Sequence, residues 1–330
     1  MEELQRKRYT YLDLIKIISA FMVTFYHFAH GRVDYNYNEL SAIYIPNIAR
    51  CVMSCCAVSV PLFFMVNGAL LLGKDRSIKE MLYKIAKIVI LIAVWYATGF
   101  PSWFFKTLII LYLLTPLLRC LYVGKRKILY GMLIALLMFP YLYIYIILWM
   151  KFVNINININ FCGHEMNTSE LTRTGLFTMY SIVYYVFGII MHQSELTQKR
   201  AYIMLLLLGF AGLIMDVVLN TYIEHSMFDG VNASFPTLGA FSMSLGTFGL
   251  FKNFTYSNKV KRFLSILSPY VLSIYVMHIL IITVVANKLF QINNISLFGA
   301  IILCMAIDGI CVGVGMIINK IPLLKEVIKI

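Results

Sequence analysis

The sequence predicts an all-α, polytopic membrane protein with about ten transmembrane helices and both termini in the cytoplasm. Of its 330 residues, 61% are hydrophobic and only 13% are charged, whereas a soluble domain contains about 25% charged residues. The mean hydropathy is +0.81, and long apolar runs recur along the whole chain. These observations indicate one integral-membrane domain over residues 1–330, with no soluble extracytoplasmic domain and no phosphate-binding loop of the ATPase type.

Ten runs of mostly apolar residues approach the length of about 20 residues that a helix needs to cross a bilayer. They cover residues 11–30, 52–72, 84–99, 103–120, 128–150, 174–191, 201–221, 235–251, 266–287 and 297–318. Only the corner Gly99–Ser102 separates the third run from the fourth, which predicts a tight hairpin. The longest predicted outer loop covers residues 151–173, and its alternating tract NINININ predicts an extended loop or a short strand.

The distribution of positive charge predicts the orientation. With the N-terminus inside, 21 of the 28 Lys and Arg residues fall in cytoplasmic segments and six fall in outer segments. This asymmetry follows the positive-inside rule and places both termini in the cytoplasm. The basic start Arg6–Arg8 belongs to the same pattern. The net charge of +13 is therefore a topology signal, and we expect a multi-pass protein of the cell membrane with lipid neighbours and no nucleic-acid partner.

The first predicted span carries four polar residues that are costly in a bilayer. A central Asp or Lys costs about 2.5–3.5 kcal/mol on insertion scales, yet this span contains Asp13, Lys16, His27 and His30. Lys16 and His27 are eleven residues apart, which puts them on one helix face about 16 Å apart along the axis. An ion pair between Asp13 and Lys16 at the inner interface, with interfacial histidines at the outer end, explains each residue singly. It does not explain their alignment, which favours a functional polar stripe.

A second basic feature opens the third predicted span. Lys84 and Lys87 are three residues apart and share a helix face at its cytoplasmic end. The positive-inside rule alone accounts for them, but together with Lys16 they also form a candidate anion site for phosphate groups of a cytoplasmic ligand. Asp216 and Asp308 also lie in predicted spans, and pairing is the only role that the sequence suggests for them.

Five short motifs, in this order along the chain, resemble the membrane acyltransferase-3 family of bacterial surface-polysaccharide O-acyltransferases. The first motif is Leu12-Asp13 followed by Lys16 and His27, with ten residues between Lys16 and His27. The others are Phe63-Phe64 with Asn67-Gly68; Lys84 and Lys87; Trp103-Phe104 with Tyr112 and Pro116; and Ser268 with Tyr275 and His278. Three departures concern the detail of the substrate site. Lys16 replaces the commoner Arg, Asn67 stands where Ser is usual, and no His precedes Trp103.

The resemblance implies transfer of an acyl group, usually acetyl, from cytoplasmic acyl-CoA to a hydroxyl of a cell-surface polysaccharide or lipid-linked glycan. In that role His27 is the general base, because an imidazole with a pKa near neutrality can take the proton of an attacking hydroxyl. Lys16, Lys84 and Lys87 would hold the phosphates of acetyl-CoA or another acyl-CoA, and Asp13 would orient Lys16. No metal is expected.

Six further residues are candidates for the acceptor site or for stabilising the oxyanion: Tyr112, Trp103, Ser268, His278, His30 and Asn67. Packing alone accounts for Tyr112 and Ser268, and Trp103 also fits the aromatic belt of a membrane protein. The alternative function is transport, as a polysaccharide exporter, a flippase or another membrane transporter that uses the polar stripe as a pathway. A structural membrane subunit of a polymer-synthesis complex is a third interpretation.

Overall fold

The computed structural model describes residues 8–30, 32–33, 37–40, 43–46, 48–96, 102–138, 159–161, 164–166, 168–224, 237–292 and 294–321. Helices make up most of this part of the chain. They are α1 (Thr10–Ala29), α2 (Ile48–Cys55), α3 (Ser59–Leu71), α4 (Ile78–Trp95), α5 (Trp103–Gly124), α6 (126–138), α7 (Thr168–Gln193), α8 (Lys199–Glu224), α9 (Leu238–Lys252), α10 (Asn258–Leu267), α11 (Val271–Ile282) and α12 (Leu297–Ile318).

Short non-α segments connect or extend several of these helices. Two antiparallel hairpins join strand β1 (Tyr37–Leu40) to β2 (Ile43–Pro46) and β3 (Ile159–Phe161) to β4 (His164–Met166). Tight turns of 3-10 helix, Cys56–Val58 and Ser268–Tyr270, precede α3 and α11. A π-helical segment, Thr283–Leu289, extends α11. The second hairpin begins inside the NINININ tract, whose residues 154–158 lie outside the described chain.

Helix α1 lies at the centre of the helix bundle and contacts α3, α9, α10, α11 and α12. Its apolar side chains are packed on several sides, with Ile15, Phe28 and Ala29 fully inaccessible. By contrast, α8 and α12 expose large apolar side chains such as Leu208 and Phe298, at 64% and 73%. An apolar outer surface is expected for helices that face lipid, and a central position explains how α1 keeps its polar residues away from lipid.

Two glycines allow α3 and α7 to pack backbone against backbone. A Cβ on Gly68 would lie 1.7 Å from the carbonyl oxygen of Tyr185, and a Cβ on Gly188 would lie 2.0 Å from that of Met65. Small residues of this kind permit close helix contacts within membranes. The glycine of the second motif therefore has a packing role in this fold.

We expect Gly68→Ala to destabilise the protein strongly. The methyl group would meet the rigid backbone of α7, so the two helices must separate, and overpacking of this kind costs on the order of 3 kcal/mol. Gly131→Ala is the matched control, because a Cβ there meets nothing within 4 Å. Thermal unfolding of both purified variants, followed by fluorescence-detected size exclusion, measures the difference. Equal midpoints would contradict the close packing.

The predicted spans and the described helices agree in position. Six helices in the described part of the chain are long and apolar enough to cross a membrane: Thr10–Ala29, Ile48–Leu71, Trp103–Gly124, Lys199–Val218, Asn258–Leu289 and Leu297–Ile318. Helix α4 begins at Ile78, six residues before the predicted third span, because Ser77 caps its first turn. Residues 99–101 of the predicted corner and residues 139–150 of the fifth span lie outside the described chain. The total of ten spans stays a prediction.

Contacts at the helix ends agree with spans that alternate in direction. At the start of α1, the Tyr11 hydroxyl is hydrogen-bonded to Nδ1 of His192 at the end of α7. Beyond the other end of α1, Arg32 donates to Oδ1 of Asn287 at 2.5 Å. The positive-inside rule groups these ends in the same way, since it assigns Tyr11 and His192 to one side and Arg32 and Asn287 to the other.

Candidate active site

A cavity of about 630 Å³ opens between α1, α3, α5 and the turn that precedes α11. One part of its lining is polar and the other is aromatic. The polar side chains are Arg8, Asp13, Lys16, Ser268, Asn67 and Tyr112, and the aromatic ones include Phe63, Phe104, Phe105 and Tyr275. Helix α3 is buried except for Asn67 and Leu70, and both of these residues line the cavity. The cavity is therefore the place where the packed interior of α3 becomes accessible.

Asp13 is the centre of the polar cluster. Its carboxylate accepts hydrogen bonds from Nε of Arg8 at 2.5 Å and from the Ser268 hydroxyl at 2.6 Å. The Lys16 ammonium lies 3.0 Å from the same carboxylate and donates to the Ser268 oxygen at 2.9 Å. Asp13 is 5% exposed, so its charge is compensated by two cations and one hydroxyl instead of by water.

The local sequence explains how these groups meet. Lys16 follows Asp13 by three residues, so both side chains leave α1 on the same face. Ser268 begins the 3-10 turn that joins α10 to α11, and Pro269 follows it at a position where helices often start. Arg8 lies just before α1, and its second guanidinium nitrogen donates to the carbonyl of Ser265 at 3.0 Å. Arg8 therefore links the start of α1 to the end of α10.

The cluster carries a net positive charge that can attract an anion. Arg8 and Lys16 contribute two positive charges, and Asp13 contributes one negative charge. An ammonium group has three N–H donors, and among the described residues Lys16 uses two of them, on Asp13 and Ser268. One donor remains for a ligand in the cavity.

Asn67 and Tyr112 form a second polar pair on the cavity wall. The Tyr112 hydroxyl donates to Oδ1 of Asn67 at 3.1 Å, and Nδ2 of Asn67 donates to the carbonyl of Phe63 at 2.9 Å. The second N–H of this amide is available to a ligand in the cavity. Asn67 replaces the serine that is usual in the second motif, and its longer side chain supplies this additional donor.

Tyr275 connects the aromatic part of the cavity to a pair of histidines. Its ring packs against those of Phe104 and Phe105, with centroids 5.2 and 5.3 Å away. The imidazole of His278 lies 5.9 Å from the Tyr275 ring, and the imidazole of His27 lies 5.2 Å from that of His278. The cavity thus extends from Lys16 to an aromatic wall that is in contact with His278, and His278 is in contact with His27.

Six sequence candidates lie outside the lining that the described residues form: Lys84, Lys87, Trp103, His30, His27 and His278. His278 contacts the lining residue Tyr275, and His27 contacts His278. Lys84 and Lys87 are half-buried on α4, with the Lys87 ammonium 5.0 Å from the Tyr83 ring centroid. Trp103 is 37% exposed at the start of α5, and His30 is exposed just after α1. Of the three lysines expected to hold phosphates, only Lys16 lines the cavity, and the phosphate role of Lys84 and Lys87 stays a prediction.

Sequence reasoning missed Arg8 as a residue of this site. The basic start Arg6–Arg8 was assigned to the positive-inside pattern alone, yet Arg8 lines the cavity. The signal for Arg8 was its position five residues before a carboxylate inside an apolar span. Of the two aspartates in predicted spans, Asp308 accepts a hydrogen bond from the Thr24 hydroxyl at 2.7 Å.

Comparison with known proteins identifies the family. The model described as an acyltransferase domain, that of the acyltransferase-3 family, matches residues 9–101 and 91–313. Searches of curated proteins and of solved structures gave no match. The matched segments contain both histidines of the pair and every residue of the described cavity lining except Arg8. Since they extend over most of the sequence, the chain belongs to the acyltransferase-3 family and is a membrane acyltransferase.

Proposed function

We propose that this protein transfers an acyl group, and specifically acetyl, from cytoplasmic acyl-CoA to a hydroxyl of a cell-surface polysaccharide or lipid-linked glycan. The supporting observation is the continuity of the cavity, which has a cationic cluster at Lys16 and an aromatic wall in contact with the histidine pair. A transporter needs no such cationic cluster for a phosphate-bearing donor, and the family match does not favour transport.

In this proposal the CoA phosphates bind at the cationic cluster. Lys16 and Arg8 attract the phosphates, while Asp13 and Ser268 hold the Lys16 ammonium in place. Lys is a point charge without the bidentate fork of Arg, and Arg8 supplies a guanidinium nearby. The pantetheine arm extends along the cavity, where Asn67 and Tyr112 offer hydrogen bonds to its amide groups.

The chemistry takes place beside His27. Lys16 and His27 are eleven residues apart on α1, a separation of about 16 Å that an extended pantetheine arm can cover. His27 takes the proton of the glycan hydroxyl as its oxygen bonds to the thioester carbonyl carbon. The tetrahedral intermediate then expels the thiolate, the carbon–sulfur bond breaks, and His27 returns the proton to sulfur. The products are the glycan ester and free CoA.

The arrangement explains how a cytoplasmic donor can meet an acceptor outside the cell. With ten spans and both termini in the cytoplasm, the polar cluster lies in the inner half of the membrane and His27 lies in the outer half. The acyl group crosses the inner half while it is still attached to CoA. No sugar and no charged carrier then needs to cross the bilayer.

We expect Lys16→Met to raise the KM for acetyl-CoA about tenfold or more, because a charge-assisted hydrogen bond to phosphate contributes about 1.5–3 kcal/mol. Lys16→Arg should keep the KM near that of the parent, since it retains the charge at the same position. Initial rates at varied acetyl-CoA, measured on purified protein in lipid nanodiscs, separate KM from kcat. A lower kcat at unchanged KM in the methionine variant would contradict a donor-binding role.

The substrate class is tested on the host polymer. Proton NMR of surface polysaccharide should lose its O-acetyl signals when the gene is deleted and regain them when the parent protein is restored. The chemical shifts of the sugar protons next to the ester would identify the acceptor position. Unchanged acetylation together with polymer retained inside the cell would support transport and reject the proposal.

A further inference from the structure

His278 is an ionisable residue buried in the middle of α11, with 0% of its surface exposed. Its Nδ1 atom lies 3.1 Å from the carbonyl oxygen of Ile274 and 2.8 Å from that of Tyr275. A carbonyl oxygen accepts hydrogen bonds and cannot donate them, so Nδ1 must carry a proton. The tautomer of the neutral ring is therefore fixed, and Nε2 presents a lone pair.

That lone pair has no hydrogen-bond partner among the described residues, and Nε2 is inaccessible to solvent. Buried side-chain nitrogen and oxygen atoms nearly always have a partner, and an exception in a functional region calls for an explanation. Packing could be achieved at lower cost by a leucine of similar volume. The orientation of His278 is instead suited to accept one further hydrogen bond from a group that moves toward it.

His27 is in position to make this hydrogen bond. The two imidazole centroids are 5.2 Å apart and the rings are tilted by 41°. At this separation, a rotation of the His27 ring that turns one of its nitrogens toward Nε2 would bring the two nitrogens to about 3 Å, which is hydrogen-bond distance. The other titratable groups on the elements around the pair are Tyr275 on α11, Tyr26 and His30 at the end of α1, and Asp308 on α12. The Asp308 carboxylate accepts a hydrogen bond from the Thr24 hydroxyl on α1.

We propose that Nε2 of His278 accepts an N–H from His27 during acyl transfer and so acts as the positioning residue of the general base. This inference rests on the proposed function and adds a role within it. The hydrogen bond selects the His27 tautomer whose other nitrogen faces the hydroxyl. When His27 takes the proton it becomes an imidazolium with two N–H groups, one held by His278 and the other returning its proton to the thiolate. His278 neither gains nor loses a proton.

An imidazole acceptor differs from the carboxylate that orients the histidine of a serine hydrolase. A neutral acceptor stabilises the imidazolium less than a carboxylate does, so it orients the His27 ring without holding it in the protonated form. It also introduces no net charge into the middle of the membrane, where an uncompensated carboxylate would be costly.

The test compares His278→Leu with His278→Gln, whose side-chain oxygen can take the place of Nε2. The first measurement is the pH dependence of carbethoxylation at His27 by diethyl pyrocarbonate, quantified by peptide mass spectrometry on the purified full-length protein. We expect the midpoint to fall by about one pH unit in the leucine variant and by less in the glutamine variant. Modification of His192, at the opposite end of the bundle, should not change and serves as the internal control.

The second measurement is the acyl-transfer rate. We expect kcat to fall about 100-fold in the leucine variant, with partial recovery in the glutamine variant and an unchanged KM for acetyl-CoA. A midpoint at His27 that does not move, or equal losses of kcat in both variants, would show that His278 only packs. Since carbethoxylation needs no substrate, a shifted midpoint in a protein without transferase activity would reject the proposed function and retain the histidine pair.

A third measurement applies if the leucine variant fails to fold. Histidine-specific ¹⁵N NMR of the parent protein in bilayers reports whether each ring nitrogen carries a proton. An unprotonated Nε2 on His278 with a hydrogen-bond coupling to His27 would support the proposal. A protonated Nε2 on His278 would overturn it.

Discussion

Replacement of His27 by glutamine is expected to lower kcat for acyl transfer by about 10²–10⁴-fold, the range that general-base catalysis contributes. Glutamine is close in size and can hydrogen-bond, but it cannot accept and return a proton at neutral pH. The KM for acetyl-CoA should change little, because His27 lies three helical turns from the cationic cluster that holds the donor. Transfer of radiolabelled acetyl to glycan by protein in nanodiscs measures both constants.

His192→Gln is the matched control for this substitution. His192 lies at the end of α7 and is hydrogen-bonded to the Tyr11 hydroxyl, at the opposite end of α1 from His27. Its replacement should leave kcat within a few-fold of the parent value. If His27→Gln kept more than a tenth of the parental kcat, His27 would not be the base, whatever the activity of the control variant.

Replacement of Asp13 by alanine is expected to have the second largest effect, on stability as well as on activity. The carboxylate is buried and holds Arg8 at 2.5 Å and Lys16 at 3.0 Å. Its removal leaves two cations and the Ser268 hydroxyl without their shared acceptor. Breaking a buried ion pair by removing one partner costs about 3–5 kcal/mol, so the unfolding midpoint should fall markedly and acyl-CoA binding should weaken.

Glu80→Ala supplies the control for an exposed pair. The Glu80 carboxylate lies 3.6 Å from Arg76 and its side chain is 57% exposed, so its removal should cost less than about 1 kcal/mol. Unfolding midpoints of the two variants in the same detergent give the comparison. Equal midpoints would mean that the Asp13 cluster is solvated and contributes little to the packing of α1 against α10 and α11.

Much of this site could be predicted because its first part is local in sequence. Asp13 and Lys16 are three residues apart on α1, and that spacing alone predicts the pair observed at 3.0 Å. The alignment of His27 with Lys16 follows in the same way from helix geometry. The cost of burying these groups in a membrane is what marked the helix as functional.

Long-range contacts could not be predicted from spacing. Ser268 reaches Asp13 across 255 residues, and only the motif resemblance marked it. Arg8 was assigned to the topology signal because a basic residue before a first span is expected there in any case. The helical start of α7 at residue 168, within the predicted outer loop, could not be predicted because the apolar pattern begins later than the helix.

The position of the predicted phosphate-binding lysines relative to the cavity could not be predicted from spacing either. Lys84 and Lys87 share a face of α4, but their spacing does not reveal which neighbouring helix that face meets. In the structure Lys87 packs over Tyr83 on its own helix, and the described lining of the cavity includes Arg8 where the sequence had placed these lysines. Helix periodicity defines a face, but tertiary packing decides whether that face borders a site.

In the proposed mechanism, acyl-CoA binds from the cytoplasmic side and its acyl group reaches a glycan on the other side through His27. Sealed vesicles of defined orientation test this, with radiolabelled acetyl-CoA supplied to one face and glycan acceptor to the other. We expect labelled glycan only when acetyl-CoA is on the cytoplasmic face, and none with His27→Gln protein. Labelling from the opposite face, or labelling that survives the substitution, would contradict it.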